Sequence, residues 1–284
     1  MKFNVLLQHL LPKQAITGLA GKLANKKCGA LTTKVIAWFV KRYNVNMAEA
    51  AEPNISSYQT FNDFFTRPLK VNARPIANAD FICPVDGAIS QFGKIDEDQI
   101  FQAKGHAYST TALVGGDSNL AKKFENGHFA CLYLSPKDYH RIHMPCSGTL
   151  KSMVYVPGAL FSVNPTTAQG VPGLFARNER VVCEFDSAEH GSFIMVLVGA
   201  TIVGSMATIW HDGVNGIVNP PRTSNFRVWS YENQNITLKQ GNEMGKFLLG
   251  STVVMLFEKE ALQFNETWQA ERAVKLGEIM ATKI

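Results

Sequence analysis

Residues 241–257 read GNEMGKFLLGSTVVMLF, and this stretch decides how the C-terminal part of the chain is built. Two apolar, strand-like runs meet at its centre, the Leu249-Gly250-Ser251-Thr252 junction. The ordinary structure for Gly-Ser-Thr is a turn or a strand kink. Glycine also leaves its carbonyl unshielded, and the next residue places a hydroxyl close to it. The junction is therefore either a kink or a site for an N-to-O acyl shift, in which Ser251 attacks the Gly250 carbonyl.

The composition allows one large domain, or one domain with an appendage. Of the 284 residues, 46% are hydrophobic and only 18% are charged, so the chain can bury a full core. The net charge of +5 favours an acidic partner, either nucleic acid or an anionic membrane surface. The cysteines are scattered and odd in number, which predicts reduced thiols in a cytosolic compartment and neither a disulfide framework nor a zinc site. They are Cys28, Cys83, Cys131, Cys146 and Cys183.

Segment 1–50 is predicted to form basic, amphipathic helices. Apolar residues recur at helical spacing over residues 15–23 and again over residues 31–43. Every charged residue before Glu49 is basic, and this pattern is typical of helices that lie in the headgroup region of an anionic bilayer. The alternative is a helical hairpin packed on the body with its lysines in water. The apolar surface added by Trp38 and the N-terminal leucines favours membrane docking.

Residues 51–284 are predicted to form a β-rich domain, so the fold class is α+β with a sandwich- or barrel-like core. A connector rich in proline and aromatic residues leads into short β-prone runs separated by glycine and proline. The clearest runs are Phe81–Pro84, Ala88–Ile95, His128–Leu134, Thr149–Pro157 and Arg180–Phe185.

The apolar run Phe193–Trp210 is long enough to resemble a membrane span. Its β-branched residues and its glycines, Gly199 and Gly204, favour two buried strands joined by a bend. We therefore expect no transmembrane helix.

A second informative stretch is LSPKDYHRIHMP, residues 134–145. Ser135 and Asp138 form a Ser-x-x-Asp capping box with proline at the first helical position, which predicts a short helical turn. On such a turn His140 and His143 would share a face, whereas on a strand they would point to opposite faces. Two histidines on one face are compatible with metal ligands, a general acid and base, or structural roles. A metal is disfavoured because the remaining histidines show no ligand spacing.

Asp86, within Pro84-Val85-Asp86-Gly87, is a further candidate. An aspartate before a glycine usually caps a turn. However, a serine hydroxyl is a poor nucleophile until a neighbouring base takes its proton, and that base needs a carboxylate to fix its tautomer. An aspartate, a histidine and a serine from three separate segments would meet this need.

Seven motifs, taken together and in this order, resemble the phosphatidylserine decarboxylases, in particular the bacterial form that carries a Leu-Gly-Ser-Thr cleavage motif. They are FNDFFTRPL (residues 61–69), PVDG (84–87), KGHAYS (104–109), LSPKDYHRIHMP (134–145), NER (178–180), VGATIVGS (198–205) and LGST (249–252). The likeness runs from the N-terminal helices to just past Ser251.

The resemblance implies a zymogen that cleaves itself. Asp86 would orient His143, His143 would deprotonate Ser251, and Ser251 would attack the Gly250 carbonyl. The products would be a large subunit, residues 1–250, and a small subunit, residues 251–284, headed by a pyruvoyl group derived from Ser251.

The resemblance also implies the reaction, a lyase step of phospholipid biosynthesis. The pyruvoyl group would form a Schiff base with phosphatidylserine and accept electrons during decarboxylation to phosphatidylethanolamine, as pyridoxal phosphate does in other enzymes. His140 is the candidate acid that protonates the product, with a possible share for His143. No metal, nucleotide or pyridoxal phosphate is expected.

The partners implied are phosphatidylserine, an anionic membrane surface and a second copy of the cleaved pair, with no nucleic acid. The expected location is peripheral, on the cytoplasmic face of the inner membrane. Two alternatives stay open: a self-cleaving hydrolase with an N-terminal serine, and a non-enzymatic membrane-surface module.

Overall fold

A computed structural model describes residues 12–201, 205–211, 216–217, 225–248 and 252–284. The Gly250–Ser251 junction lies outside these residues, as do residues 1–11 of the predicted docking segment.

The two longest helices of the described residues lie in the N-terminal segment, where the apolar spacing predicted helices, and a third, short helix follows them before the first strand. The third helix begins with a capping box, in which the Thr60 hydroxyl accepts from the Asp63 amide and the Asp63 carboxylate accepts from the Thr60 amide. Ile36 of the second helix packs in the same apolar cluster as Phe64 and Phe65 of the third, so the helical segment is tied to the body. The helices are α1 Lys13–Ala24, α2 Ala30–Tyr43, α3 Phe61–Phe65, α4 Thr110–Leu113, α5 Ser118–Lys122, α6 Pro165–Ala168 and α7 Leu174–Arg177.

Antiparallel sheets make up most of the remainder. Their strands are β1 Phe81–Ile82, β2 Gly87–Lys94, β3 Gln99–Ala103, β4 His106–Ser109, β5 His128–Tyr133, β6 Arg141–His143, β7 Gly148–Val156, β8 Arg180–Ser187, β9 Gly191–Val198, β10 Met206–Thr208, β11 Gly216–Ile217, β12 Arg227–Ser230, β13 Thr237–Leu238, β14 Glu243–Phe247, β15 Thr252–Phe257, β16 Leu262–Phe264, β17 Ala273–Val274 and β18 Ile279–Lys283.

The largest sheet within the described residues has nine strands, and β15 lies near its centre between β9 and β5. Strand β15 is buried on both of its faces. Val253, Met255 and Phe257 join one apolar cluster, whereas Val254 and Leu256 join the cluster on the opposite face. Because successive side chains of a strand point to opposite faces, a strand covered on both sides has to be apolar throughout. This explains the continuous run after Ser251.

A second sheet has four strands, in the order β11-β10-β14-β6. Strand β14 ends at Phe247, and β15 begins only five residues later at Thr252. The chain therefore crosses from the small sheet to the large one through the Leu-Gly-Ser-Thr junction. Two further sheets contain β1-β18-β16 and β3-β4.

The α+β prediction is confirmed, with open sheets whose described strands form no closed barrel. The run Phe193–Trp210 contains strands β9 and β10, as predicted, with residues 202–204 outside the described part. None of the helices within the described residues has both the length and the apolar character needed to cross a bilayer.

Candidate functional site

The residues that flank the junction bring three segments together. Phe247, the last residue of β14, donates its amide to the His140 carbonyl at 3.0 Å, and Leu248 donates to the Ser205 carbonyl at 2.9 Å. Thr252, on the other side, pairs with Tyr133 of β5 and with Val198 of β9. The segment that carries His140 therefore lies next to the residues that precede the junction, and the end of β9 lies next to the residue that follows it.

The predicted helical turn at Ser135 is wrong. The Asp138 carboxylate accepts from both the amide and the hydroxyl of Ser135, each at 2.7 Å, and the chain makes a turn at 136–137 without continuing as a helix. The Asp138 amide donates to the Ser135 carbonyl at 2.9 Å, whereas at a helix cap it would donate to the Ser135 hydroxyl. The chain then enters β6, which pairs with β14.

His140 and His143 therefore do not share a helical face. His140 precedes β6 and His143 ends it, and residues three apart on an extended chain point to opposite faces. Consistent with this, the His140 ring packs on Phe65 with centroids 4.0 Å apart, whereas the His143 ring lies beside Tyr139.

His140 is fully buried and has one free ring nitrogen. Its Nδ1–H donates to the Asp138 carbonyl at 2.8 Å, since a carbonyl oxygen can only accept. Its Nε2 has no hydrogen-bond partner within the described part of the chain. Burial lowers the pKa of His140 to about 3, so the ring is neutral at pH 7 and Nε2 carries a lone pair.

His143 is partly buried, and both of its ring nitrogens are occupied. Nδ1–H donates to the Gly241 carbonyl at 2.8 Å, which leaves Nε2 to accept from the Tyr139 hydroxyl at 3.1 Å. Burial lowers the pKa of His143 despite the opposing charges of Glu243 and Asp86. The ring is thus held as the neutral tautomer whose Nε2 can take a proton.

Asp86 lies in an ion network that no sequence motif had indicated. Arg74 Nη2 lies 2.6 Å from the Asp86 carboxylate and 2.7 Å from the Glu49 carboxylate, and Arg74 Nε donates to Asp86 at 2.9 Å. The Leu276 amide donates to Asp86 as well. Among the described contacts Asp86 makes no hydrogen bond to His143, so Asp86 acts on that ring through its charge in this state.

A cavity of about 830 Å³ opens beside these groups. Its lining includes Tyr133, the strand partner of Thr252, and Tyr139, the hydrogen-bond partner of His143. Charged groups also line it, namely Glu49, Arg67, Arg74, Asp86, Lys137, Asp138, Glu271, Lys275 and Glu278. The sequence interpretation missed Arg67, Arg74 and Tyr139 as site residues. Arg67 lies within the motif FNDFFTRPL (residues 61–69), and Arg74 precedes Pro75 in the connector, but neither signal assigned a role to the side chain.

Comparison with known sequences decides the family. A sequence model described as phosphatidylserine decarboxylase matches residues 61–282, well over half of the chain. The chain belongs to the phosphatidylserine decarboxylase family. A second sequence model, described as PSD, matches residues 3–44.

Relatives of this decarboxylase-family chain carry the name phosphatidylserine decarboxylase proenzyme. The protein of Dechloromonas aromatica is 70% identical, over 99% of this chain and 98% of its own length. That of Albidiferax ferrireducens is 69% identical, over 99% and 97%. That of Azoarcus sp. is 65% identical, over 98% and 95%. The resemblance inferred from the sequence motifs is therefore confirmed along the whole chain.

Replacing Arg74 by methionine is expected to lower the free energy of unfolding by about 3–5 kcal/mol, because the buried Asp86 carboxylate loses its cation. Arg272→Met is the control, since the Arg272–Glu278 pair is about one-third exposed on both sides and should change stability by less than about 1 kcal/mol. Urea unfolding of both variants in the Ser251→Ala chain, which keeps a single polypeptide, measures the difference. Equal effects of the two replacements would contradict the structural role given to Arg74.

Proposed function

We propose that this chain decarboxylates phosphatidylserine to phosphatidylethanolamine, after cleaving itself between Gly250 and Ser251. The observation that supports this most directly is the convergence at the junction. The His140 carbonyl accepts a hydrogen bond from Phe247, at the end of the strand that leads into the junction. The cavity nearby is lined by Asp86 and by Tyr139, the hydrogen-bond partner of His143.

For cleavage, we assign the base to His143. Its Nε2 carries the lone pair, and the Tyr139 hydroxyl that now donates to Nε2 has to give way to the Ser251 hydroxyl. Burial keeps His143 neutral, which is the state a base requires. Asp86, held in place by Arg74, stabilises the imidazolium that forms, acting across space unless it moves into contact with the ring.

Cleavage would proceed through an ester and a dehydroalanine. Ser251 Oγ bonds to the Gly250 carbonyl carbon while the Gly250–Ser251 amide bond breaks, giving an ester and a free amine. Loss of the Ser251 α-proton then breaks the Cβ–Oγ bond, which releases the Gly250 carboxylate. The remaining dehydroalanine takes up water and releases ammonia, leaving a pyruvoyl group at the head of residues 251–284.

One group beside the junction fits a small carbonyl-bearing group at position 251. The Thr252 hydroxyl is buried without a hydrogen-bond partner among the described residues, and it can donate to a carbonyl oxygen. His140 Nε2, which is also buried without a partner there, carries a lone pair and can accept from an N–H or O–H group. The pyruvoyl group supplies an electrophilic carbonyl that joins the substrate amine and accepts the electrons released as carbon dioxide leaves.

His140 is our candidate for moving the proton. Its Nε2 is free to carry a proton, and because burial lowers the pKa of His140, the protonated ring would give that proton up readily to the substrate α-carbon after carbon dioxide leaves. The Nδ1–H bond to the Asp138 carbonyl fixes the ring and supports its protonated state.

We place the enzyme on the membrane surface through α1 and α2. Within these helices the largest exposed apolar side chains are Leu19, Leu23, Leu31, Val35 and Trp38. The charged residues of α1 and α2 and of the loop between them are all basic, which suits an anionic leaflet. The boundary at residue 50, the location on the cytoplasmic face of the inner membrane, the homodimer and the lack of a nucleic-acid partner stay predictions.

The double replacement Leu31→Ser with Trp38→Ser is expected to weaken binding to anionic vesicles about tenfold or more. Each buried apolar side chain of this size contributes roughly 1.5–3 kcal/mol. Val71→Ser is the control, because Val71 is 91% exposed but lies outside α1 and α2. Vesicle co-sedimentation measures both, and an equal loss in the control would contradict docking through these helices.

An intact-mass spectrum of the purified protein tests the proposed function. We expect two subunits whose masses sum to that of the precursor plus water minus ammonia, and conversion of phosphatidylserine to phosphatidylethanolamine in vesicles. A sum equal to the precursor plus water would indicate a hydrolase with an N-terminal serine. One uncut, well-folded chain would indicate a non-enzymatic module.

A further inference from the structure

Arg67 occupies an unusual position for a cation. It follows α3 by two residues, it is 3% exposed, and it lines the 830 Å³ cavity. Its guanidinium lies over the Phe64 ring, 5.3 Å from the ring centre. Arginine carries five N–H donors and is rarely buried without partners that use them.

The partners of Arg67 are few. Arg67 Nη2 donates to the Lys137 carbonyl at 3.3 Å, and Arg67 Nε has no hydrogen-bond partner among the described residues. No carboxylate in the described part of the chain forms a salt bridge with it. A single long hydrogen bond to a carbonyl does not offset the cost of burying a guanidinium.

The carboxylates near Arg67 are already committed to other groups. Asp86 and Glu49 both bind Arg74, and Asp138 binds the amide and hydroxyl of Ser135. Burial lowers the pKa of Arg67 against the charges of these neighbours, yet an arginine stays protonated at neutral pH. A buried, charged fork that faces a cavity is therefore available for an anion that enters from outside.

We propose that Arg67 binds the phosphodiester of the phospholipid substrate in this cavity. The assignment rests on the proposed function, since that function determines which anions enter. Arginine suits this role because its fork matches the geometry of two phosphate oxygens. Lys137, exposed at the same lining, adds a second positive charge at the entrance.

The phosphodiester is favoured over the substrate carboxylate for an energetic reason. Decarboxylation removes charge from the carboxylate, so an arginine bound there would stabilise the ground state more than the transition state and slow the reaction. The phosphodiester keeps its charge from substrate to product. An arginine on it anchors the lipid at equal strength throughout, without opposing the chemical step.

The experiment compares Arg67→Gln and Arg67→Lys in the cleaved enzyme, with Arg272→Gln as a charge-matched control that does not line the cavity. The ligands are short-chain, monomeric phosphatidylserine, followed by its turnover, and short-chain phosphatidylethanolamine, followed by calorimetry. Monomeric lipids remove the contribution of membrane docking. Intact mass establishes that each variant has cleaved and is therefore folded.

In Arg67→Gln we expect a KM for phosphatidylserine and a Kd for phosphatidylethanolamine that rise together by about 10- to 100-fold, with a smaller change in kcat. Arg67→Lys should recover part of both, and Arg272→Gln should match the wild type. Should Arg67→Gln fail to cleave, Arg67→Lys is compared with Arg272→Gln in the same way.

Two results would overturn the assignment. A loss of phosphatidylserine affinity with unchanged phosphatidylethanolamine affinity would place Arg67 on the carboxylate, and unchanged affinity for both would leave it with a structural role. A wild-type protein that neither cleaves nor turns over phosphatidylserine would instead refute the proposed function, which the same measurements detect separately.

Discussion

A chain carrying Ser251→Ala is expected to remain a single polypeptide of full length and to release no carbon dioxide from phosphatidylserine. Without the hydroxyl no ester can form at Gly250, and without the ester the Cβ–Oγ elimination that makes the pyruvoyl group has no substrate. Removal of a nucleophile that acts with its base as a unit eliminates the reaction rather than slowing it slightly. Intact mass after prolonged incubation measures the cleaved fraction directly.

Ser205→Ala is the matched control for this experiment. Ser205 also follows a glycine, and it lies beside the same segment, because its carbonyl accepts from the Leu248 amide. That bond uses the backbone and survives the replacement, so the control chain should cleave like the wild type. A full-length control chain, or a cleaved Ser251→Ala chain, would show that the cut does not depend on the hydroxyl at position 251.

The strands of the large sheet could be predicted because their signal is local. Strands β9 and β15 are apolar on both faces, and each is bounded by glycine or polar residues, so the sequence alone indicates a buried strand. For the same reason the run Phe193–Trp210 could be divided correctly into two strands. The resemblance to the family could be found because the motifs are long and ordered.

The turn at Ser135 could not be predicted from its own residues. Thr60-x-x-Asp63 and Ser135-x-x-Asp138 carry the same capping pattern, but only the first opens a helix. The second is followed by residues that pair with β14, and these long-range hydrogen bonds override the local preference. The pairing partner lies about a hundred residues away, where no local pattern points to it.

The partners of the site residues were equally hidden. Asp86 was expected to serve a histidine, but it binds Arg74, which comes from a connector with no regular spacing. The Gly241 carbonyl and the Tyr139 hydroxyl hold His143 in one tautomer, and a backbone carbonyl leaves no mark in a sequence. The motifs indicated which residue types take part in the site. The hydrogen bonds that these residues form could be found only from the folded structure.

Replacing His140 by alanine is expected to leave chain cleavage intact and to lower the rate of decarboxylation by about 10²- to 10⁴-fold, the usual contribution of a positioned acid or base. The side chains of His140 and His143 point to opposite faces of the extended segment that forms β6. One ring can therefore be removed without disturbing the hydrogen bonds of the other. Intact mass gives the extent of cleavage, and carbon dioxide release per cleaved chain gives the rate.

His128→Ala is the matched control, since His128 is also a buried histidine with an unpartnered ring nitrogen among the described residues. It pairs with Phe257 at the far end of the same two strands, β5 and β15, that meet the junction at Tyr133 and Thr252. Loss of a buried imidazole should cost stability in both variants, but only the His140 variant should lose turnover per cleaved chain. If cleaved His140→Ala enzyme turns over normally, the proton at the substrate α-carbon must come from another group. His143 is then the remaining candidate, because its Nε2 is hydrogen-bonded to Tyr139, which lines the cavity.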